Sequence, residues 1–375
     1  MYPKKQQSEN IGPHVAWATT CQKADLERCG GGSILMMRAS EVCVVGASGY
    51  LGSWLVKKLL EKGHAVHATL RNSGDESKTR LLKSLPGADT RLLLFEADLF
   101  EPHSFEAPIQ GCQFVFLLAA PAPLNANFSQ QDIVKATLAA VPNILRLCEL
   151  SGTVKRIIFT GSVTAASPLK EDGTGYEDFI DETCWTPLNL SFALFEDAVK
   201  SYTCLKTLSE KELLSYNGRE GKGELEVVSL TCGLVGGDTI LPYVPLSVRD
   251  IVSPLTGDKV TQGHLKFLQA LLGSVPLVHI EDVCEAHAFC MEKPSMTGRF
   301  LLACAYPSMQ EIVDYYATKY PELEVLKEVE GEGQSIQSRA RKLVDMGFKY
   351  GFGVEQILDD SVRCAKRLGE PNLVV

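Results

Sequence analysis

The sequence predicts an α/β protein built on a doubly wound parallel sheet, with a smaller, mainly helical C-terminal region. Three observations carry this. From Val42 onward, short apolar runs rich in β-branched residues alternate with longer segments of helical period. The first run, Val42-Cys-Val-Val, leads into three glycines spaced by threes, Gly46, Gly49 and Gly52, and then into a helical run. Arg71, Asp98 and Ser162 fall just after later apolar runs, where such a sheet presents its strands' carboxyl ends to a ligand.

Taken in order, Leu51, Leu55, Leu59 and Leu60 mark the first helix, ending near Gly63. Ala65 to Leu70 reads as the second strand, and Leu81, Leu82 and Leu85 as a helix before Pro86. Arg91 to Ala97 and Phe114 to Leu118 supply two more strands, and a long helix runs from about Gln130 to Leu150. Lys155 to Thr160 is the fifth strand, followed by Gly161-Ser162. A charged loop over 168–190 precedes a helical stretch from Phe192 to Tyr216 and a sixth strand, Glu226 to Leu230. Beyond it, Gly236-Gly237, Pro242, Pro245, Pro254 and Gly257 predict long loops shaping a pocket. Leu277 to Ile280 is a strand, Glu281 to Met291 a helix, Gly298 to Cys304 a return to the sheet, and 306–375 mainly helix. The expected organisation is a disordered extension over 1–40, a sheet domain over 41–235, and a region over 236–375 of which about 275–305 rejoins the sheet.

Bulk composition narrows the partners. A net charge of −9 without a long basic run argues against nucleic acid and anionic membranes. A local cationic pocket for a phosphorylated ligand remains compatible with it. Twelve cysteines are scattered without a Cys-x-x-Cys pair, which predicts reduced thiols and no metal site. No apolar run approaches the roughly 18 residues that span a bilayer, and the N-terminus lacks a secretory core. Glu9, Asp25 and Glu27 count against a transit peptide. A cytoplasmic protein, monomer or homodimer, acting on a small molecule is expected.

The glycine turn supplies the first half of a site. Gly46 would allow a tight turn, Gly49 the approach of a pyrophosphate to backbone, and Gly52 close packing of helix on strand. With Ser48, Tyr50 and Leu51, the helix start offers N–H groups and a positive dipole end to phosphates. The spacing is Gly-x-x-Gly-x-x-Gly, with Ser48 where a Gly-x-Gly-x-x-Gly turn has its second glycine. After the second strand, where a carboxylate would indicate NAD, stands Arg71, with Lys78 seven residues on; two cations suit the 2′-phosphate of NADPH. Asp98 would accept from the adenine amino group, with Leu99 against the ring, or else cap the next turn. Ala119, directly after the fourth strand, completes the expected cofactor contacts.

The second half is Tyr202-Thr-Cys-Leu-Lys206, which places a phenol and an ammonium one turn apart on one helix face. A nearby ammonium favours the phenolate, so Tyr202 would exchange a proton with a carbonyl oxygen as hydride moves at carbon. Ser162 would hydrogen-bond the same oxygen. With 11 tyrosines, about one such spacing is expected by chance. A second copy, Tyr315-Tyr-Ala-Thr-Lys319, lacks a preceding strand-end serine and reads as a packing pair. His279, Asp282 and His287 lack ligand spacing, and Asp282 reads as a cap or structural hydrogen-bonding residue.

These residues resemble the extended short-chain dehydrogenase/reductase superfamily. Within it they are similar to the plant branch of dihydroflavonol, anthocyanidin, cinnamoyl-CoA and HC-toxin reductases, most of all to the HC-toxin and anthocyanidin reductase-like proteins of grasses. The carriers are Val-Gly46-Ala-Ser-Gly49-Tyr-Leu-Gly52, Thr-Leu-Arg71, Phe-Glu-Ala-Asp98-Leu, Tyr202-x-x-x-Lys206 and His279-Ile-Glu-Asp-Val-Cys-Glu-Ala-His287, between about Glu41 and Leu368. The resemblance implies a Rossmann-type NADP-binding domain and NADPH-dependent reduction of a carbonyl or flavonoid-type substrate, with Ser162, Tyr202 and Lys206 as the catalytic triad.

Flavonoid reductases carry Thr-Ser-Ser where this chain has Thr160-Gly161-Ser162. Dihydroflavonol reductases place an asparagine at the position of Ser167 and a glutamine near Pro276, so those two residues are the candidate substrate contacts. A proline of the branch corresponds to Thr231, and the cinnamoyl-CoA reductase signature around the catalytic pair is absent. The alternatives are a dihydroflavonol or cinnamoyl-CoA reductase-like activity, NAD-linked epimerase or hydroxysteroid-dehydrogenase chemistry, or a non-catalytic NADP-binding regulator.

Overall fold

The computed structural model describes residues 39–118, 130–172, 174–189, 197–221, 223–327, 329, 334 and 336–373. Its centre is a seven-stranded, all-parallel sheet. The first strand, β1 (Glu41–Val45), ends in the glycine turn and leads to α1 (Tyr50–Glu61). β2 (Ala65–Leu70), α2 (Glu76–Lys83), the single turn α3 (Ala88–Arg91), β3 (Leu92–Glu96), the single turn α4 (Glu106–Ile109) and β4 (Phe114–Leu117) follow. Beyond α5 (Gln130–Ser151) come β5 (Arg156–Ser162), a two-residue strand β6 (Phe179–Ile180), α6 (Asp197–Ser215) and β7 (Glu226–Cys232). Of the expected helix from Phe192, the residues before Asp197 lie outside the described ones.

The second half opens with β8 (Leu234–Gly236), α7 (Leu246–Thr256), α8 (Lys259–Leu272), β9 (Leu277–His279), α9 (Ile280–Glu292) and β10 (Gly298–Leu302). It closes with α10 (Met309–Lys319), β11 (Gln337–Ser338), the single turn α11 (Lys342–Asp345) and α12 (Val354–Arg367). In the sheet the order is β10-β7-β5-β4-β1-β2-β3, which reverses direction between β1 and β4. In such sheets the ligand crevice lies at that switch point, outside the strands' carboxyl ends.

Burial on both faces explains the near-continuous apolar strands. On one face Trp54, Leu55 and Leu59 of α1 meet Val283, Ala286 and Cys290 of α9. On the other, Ile144 and Leu145 of α5 and Leu213 of α6 cover Val45, Val115, Ile157 and Val227. A third cluster joins α7, α8, α10 and α12 through residues such as Ile251, Leu268, Ile312 and Leu358.

Three differences from expectation have local causes. β5 runs through Ser162, because Gly161 and Ser162 still pair with Thr231 and Cys232 of β7. The stretch from 246 to 272 is helical: Pro245 sits at the N-cap of α7, Gly257 (φ 74°) and Gly273 (φ 76°) end α7 and α8, and Asp258 caps α8. Those glycines and prolines mark helix ends. Between 275 and 305 only β10 joins the main sheet, whereas β9 pairs with β8 in a small sheet of its own. The described residues from Ala39 onward belong to one compact unit. Among the described residues no helix is long and apolar enough to cross a membrane.

Candidate active site

The glycine turn has the shape a pyrophosphate needs. Gly46 takes a φ of 89°, a conformation that favours glycine, and donates its N–H to Thr69 Oγ1 at 3.2 Å. A Cβ on Gly52 would stand 2.1 Å from the Gly46 carbonyl oxygen, so only glycine lets α1 pack this closely on the turn. Gly49 differs: a Cβ there would meet nothing nearer than that oxygen at 3.7 Å. α1 has no side-chain cap and no acidic residue in its first turn, which leaves its amides to an anion. Tyr50 donates its hydroxyl to the Gly236 carbonyl at 3.3 Å, tying the glycine turn to β8. Free glycine-turn space beside uncapped amides fits a dinucleotide.

At the adenosine end the two expected cations separate. Arg71 is exposed, and no described carboxylate lies within ion-pair distance of it. Lys78 is paired with Asp75 at 2.9 Å, and hydrogen bonds from Ser77 and Lys78 hold the Asp75 carboxyl down at about 2. Asp98 caps the following turn, its Oδ1 accepting from Phe100 N at 3.0 Å. Leu99 is buried with Phe105 and Ile109. Ala119 lies outside the described residues.

The expected catalytic residues come from β5 and α6. Ser162 ends β5, and its Oγ accepts from Thr164 N at 3.3 Å and Thr164 Oγ1 at 3.0 Å, which leaves its own O–H to donate. The 3₁₀ turn after it, Val163–Ala165, packs on α6. Tyr202 is 38% exposed, and its hydroxyl has no hydrogen-bond partner among the described residues. Lys206 is 6% exposed, donates to the Thr160 carbonyl at 3.0 Å and has no carboxylate within ion-pair distance among the described residues. Its ammonium lies 5.2 Å from the Phe159 ring centre and 6.0 Å from that of Tyr202. A buried ammonium one turn below an open phenol is an arrangement for moving a proton at a carbonyl oxygen.

Glu210 and Arg299, beneath this pair, were not singled out from sequence. Glu210, one further turn along the face of Tyr202 and Lys206, is fully buried and accepts from Ser229, Thr231 and Arg299. Arg299 grips it with two N–H groups, Nε to Oε1 at 3.1 Å and Nη2 to Oε2 at 3.2 Å. Its other donors reach the carbonyls of Ala165, Glu182 and Cys184, and its plane lies 3.7 Å from the Trp185 ring centre. Gly161 lies against this cluster: a Cβ there would stand 3.1 Å from Ser229 Oγ and 3.2 Å from Glu210 Oε1. The available signals were an arginine inside an apolar strand and a glutamate four residues after the lysine. On the opposite face His287 Nδ1 donates to the Val283 carbonyl and Nε2 accepts from Thr160 Oγ1 at 2.8 Å. Burial pushes His287 down to about 4, so it stays neutral.

The two candidate substrate contacts are built into backbone junctions. Ser167 is buried; its hydroxyl donates to the Leu271 carbonyl and accepts from Leu169 N, which joins its loop to α8. Pro276 is buried, and its carbonyl accepts from Leu234 N at 2.7 Å where β8 meets β9. Asp282 accepts from the Gly351 and Phe352 amides, while the cap of α9 is His279.

Residues 42–301 match the family described as the NAD dependent epimerase/dehydratase family. Anthocyanidin reductase ((2S)-flavan-3-ol-forming) of Vitis vinifera is 34% identical over 330 residues, covering 87% of this chain and 95% of that protein. The crystal structure of vestitone reductase from Medicago sativa superposes with a TM-score of 0.71 at 32% identity, covering 88% of this chain and 99% of that one. The fold also matches that of yeast methylglyoxal/isovaleraldehyde reductase Gre2 complexed with NADPH, with a TM-score of 0.68 at 19% identity over 88% and 99% of the two chains. The chain belongs to the NAD dependent epimerase/dehydratase family, as an oxidoreductase of the extended short-chain dehydrogenase/reductase type.

Proposed function

We propose that this protein is an NADPH-dependent reductase acting on a carbonyl or flavonoid-type substrate. The observation that carries the reading is buried Lys206, with no carboxylate partner among the described residues, one turn beneath the open phenol of Tyr202 on a helix that packs against β5, the strand that Ser162 ends. Bound at the glycine turn, the nicotinamide nucleotide supplies hydride. Tyr202 gives its proton to the substrate oxygen, Lys206 keeps the resulting phenolate favourable, and Ser162 donates to the same oxygen as charge develops. Arg71, an exposed cation after the carboxyl end of β2 with no carboxylate partner among the described residues, supports the 2′-phosphorylated nucleotide over NADH.

The reductases named above support the substrate class. The committed hydroxyl of Ser167 supports an anthocyanidin-type substrate over a dihydroflavonol. We place the enzyme in the cytoplasm, as a monomer or homodimer. NADPH consumption across a panel of ketones and anthocyanidins tests the activity. Tyr202→Phe is expected to abolish turnover while NADPH still binds; turnover at the parental rate in that variant refutes the assignment.

A further inference from the structure

Tyr202, Lys206 and Glu210 recur every four residues on α6, so all three lie on one face and each ionisable group is about 6 Å further down the axis. A carboxylate four residues after a lysine is an ordinary ion-pair partner for it. Here the pair does not form, because both Glu210 oxygens are taken: Oε1 by Ser229, Thr231 and Arg299 Nε, and Oε2 by Arg299 Nη2. All five N–H groups of Arg299 are in turn engaged by Glu210 and by the carbonyls of Ala165, Glu182 and Cys184.

We propose that Arg299 is a positioning residue that holds Glu210 away from Lys206, so that the ammonium's charge is left for the phenol of Tyr202. The inference rests on the active-site reading above and extends it to a group that touches neither substrate nor nucleotide. By binding the Ala165 carbonyl, Arg299 also holds the turn that follows Ser162. One side chain thus sets the charge balance at Lys206 and the seat of the strand-end serine.

The other groups facing this part of α6 do not compete for that role. β7 presents Cys232, whose thiol burial pushes up to about 12. α9 presents His287, which is neutral and occupied with Thr160 and Val283. The loop before α6 presents Cys184 and Glu182, and the Glu182 side chain accepts from Lys342 N. On α5, Glu149 bonds Tyr216, ten residues beyond Lys206. Arg299 is therefore the cation that balances Glu210.

The test is a near-ultraviolet titration of tyrosinate in the protein without nucleotide, taken as the difference from the same protein carrying Tyr202→Phe. Parent, Arg299→Gln, Arg299→Lys and the double variant Arg299→Gln/Glu210→Gln are compared. In Arg299→Gln the bare carboxylate opposes the phenolate, and the Tyr202 midpoint is expected to rise by about one pH unit. Arg299→Lys and the double variant are expected near the parental midpoint, although the double variant lacks the whole ion pair; a packing role alone would leave it as displaced as the single one. Should Arg299→Gln fail to fold, Ser229→Ala/Thr231→Val strips two donors from Glu210 and should move the midpoint upward by a smaller amount. A Tyr202 midpoint that is the same in the parent and in these variants overturns the proposal alone, whereas turnover at the parental rate in Tyr202→Phe overturns it together with the active-site reading.

Discussion

Tyr202 and Tyr315 each precede a lysine by four residues on a helix, yet the two lysines meet opposite surroundings. Lys319 pairs with Asp359 of α12 at 3.6 Å, and Tyr315 donates to the same carboxylate at 2.9 Å. Burial and that hydrogen bond push the Tyr315 phenol up, away from any role as a proton donor at neutral pH. Lys206 meets a backbone carbonyl instead, and the carboxylate one turn below it belongs to Arg299. Spacing alone therefore does not distinguish the two pairs; what does is that Lys206, unlike Lys319, has no carboxylate partner among the described residues. The end of β2 shows the same contrast on a smaller scale: Arg71 has no carboxylate partner among the described residues, and Lys78 is neutralised by Asp75.

The sharpest way to break the comparison is to remove each phenol. Tyr202→Phe should lower turnover by about a thousandfold, whereas Tyr315→Phe should stay within about twofold, both read from NADPH consumption; equal losses would erase the distinction. Removing a cation at each site comes next. Arg299→Gln strands a buried carboxylate and should cost about 3–5 kcal/mol of stability in urea titrations. Lys319→Met, at an ammonium that is 52% exposed, should cost less than about 1 kcal/mol.

A pH dependence follows from His287, which binds no proton in the folded chain until about pH 4 but binds one near pH 6.5 when unfolded. Below pH 6.5 the unfolded state takes up more protons, so stability falls as pH falls. Between pH 6.5 and 5 this group should account for about 2 kcal/mol. His287→Gln, compared with the parent in urea at both pH values, should flatten that slope; an unchanged slope would remove His287 from the account. The smallest effects are at the adenosine end. Arg71→Ala should weaken NADPH about tenfold and leave NADH nearly unchanged, a difference of about 1.4 kcal/mol. Asp75→Asn, by freeing Lys78, should tighten NADPH by about twofold to threefold; equal effects on both nucleotides would reject the phosphate role.

How much was legible follows from where each signal resides. The strands were readable because two-sided burial writes them as apolar runs, and the glycine turn because Gly46 and Gly52 answer to backbone geometry that no other residue meets. Tyr202-Lys206 was readable as spacing, while its contrast with Tyr315-Lys319 depends on Asp359 and Arg299, 44 and 97 positions from the tyrosines they affect. The helices over 246–272 were misread as loops because Pro245, Gly257 and Gly273 lie at caps and Pro254 lies inside α7, and sequence alone shows such breakers but not what they bound. Glu210 and Arg299 escaped because an ion pair between a helix and a strand has no local period. Ser167 and Pro276 came from positions in a resembling branch, and their bonds to Leu271 and Leu234 are properties of this chain's own backbone path.

The glycine turn has one more consequence, for how the chain tolerates variation. At position 52 an added methyl group collides with the turn itself, so alanine there is rejected by folding. At position 49 the protein has room for the methyl, and only a bound pyrophosphate would exclude it. A library of variants sorted for solubility should therefore retain alanine at 49 and discard it at 52, while one sorted for turnover should discard both. The disagreement between the two sorted pools would mark the outline of the nucleotide on the protein, position by position, without any ligand having been seen.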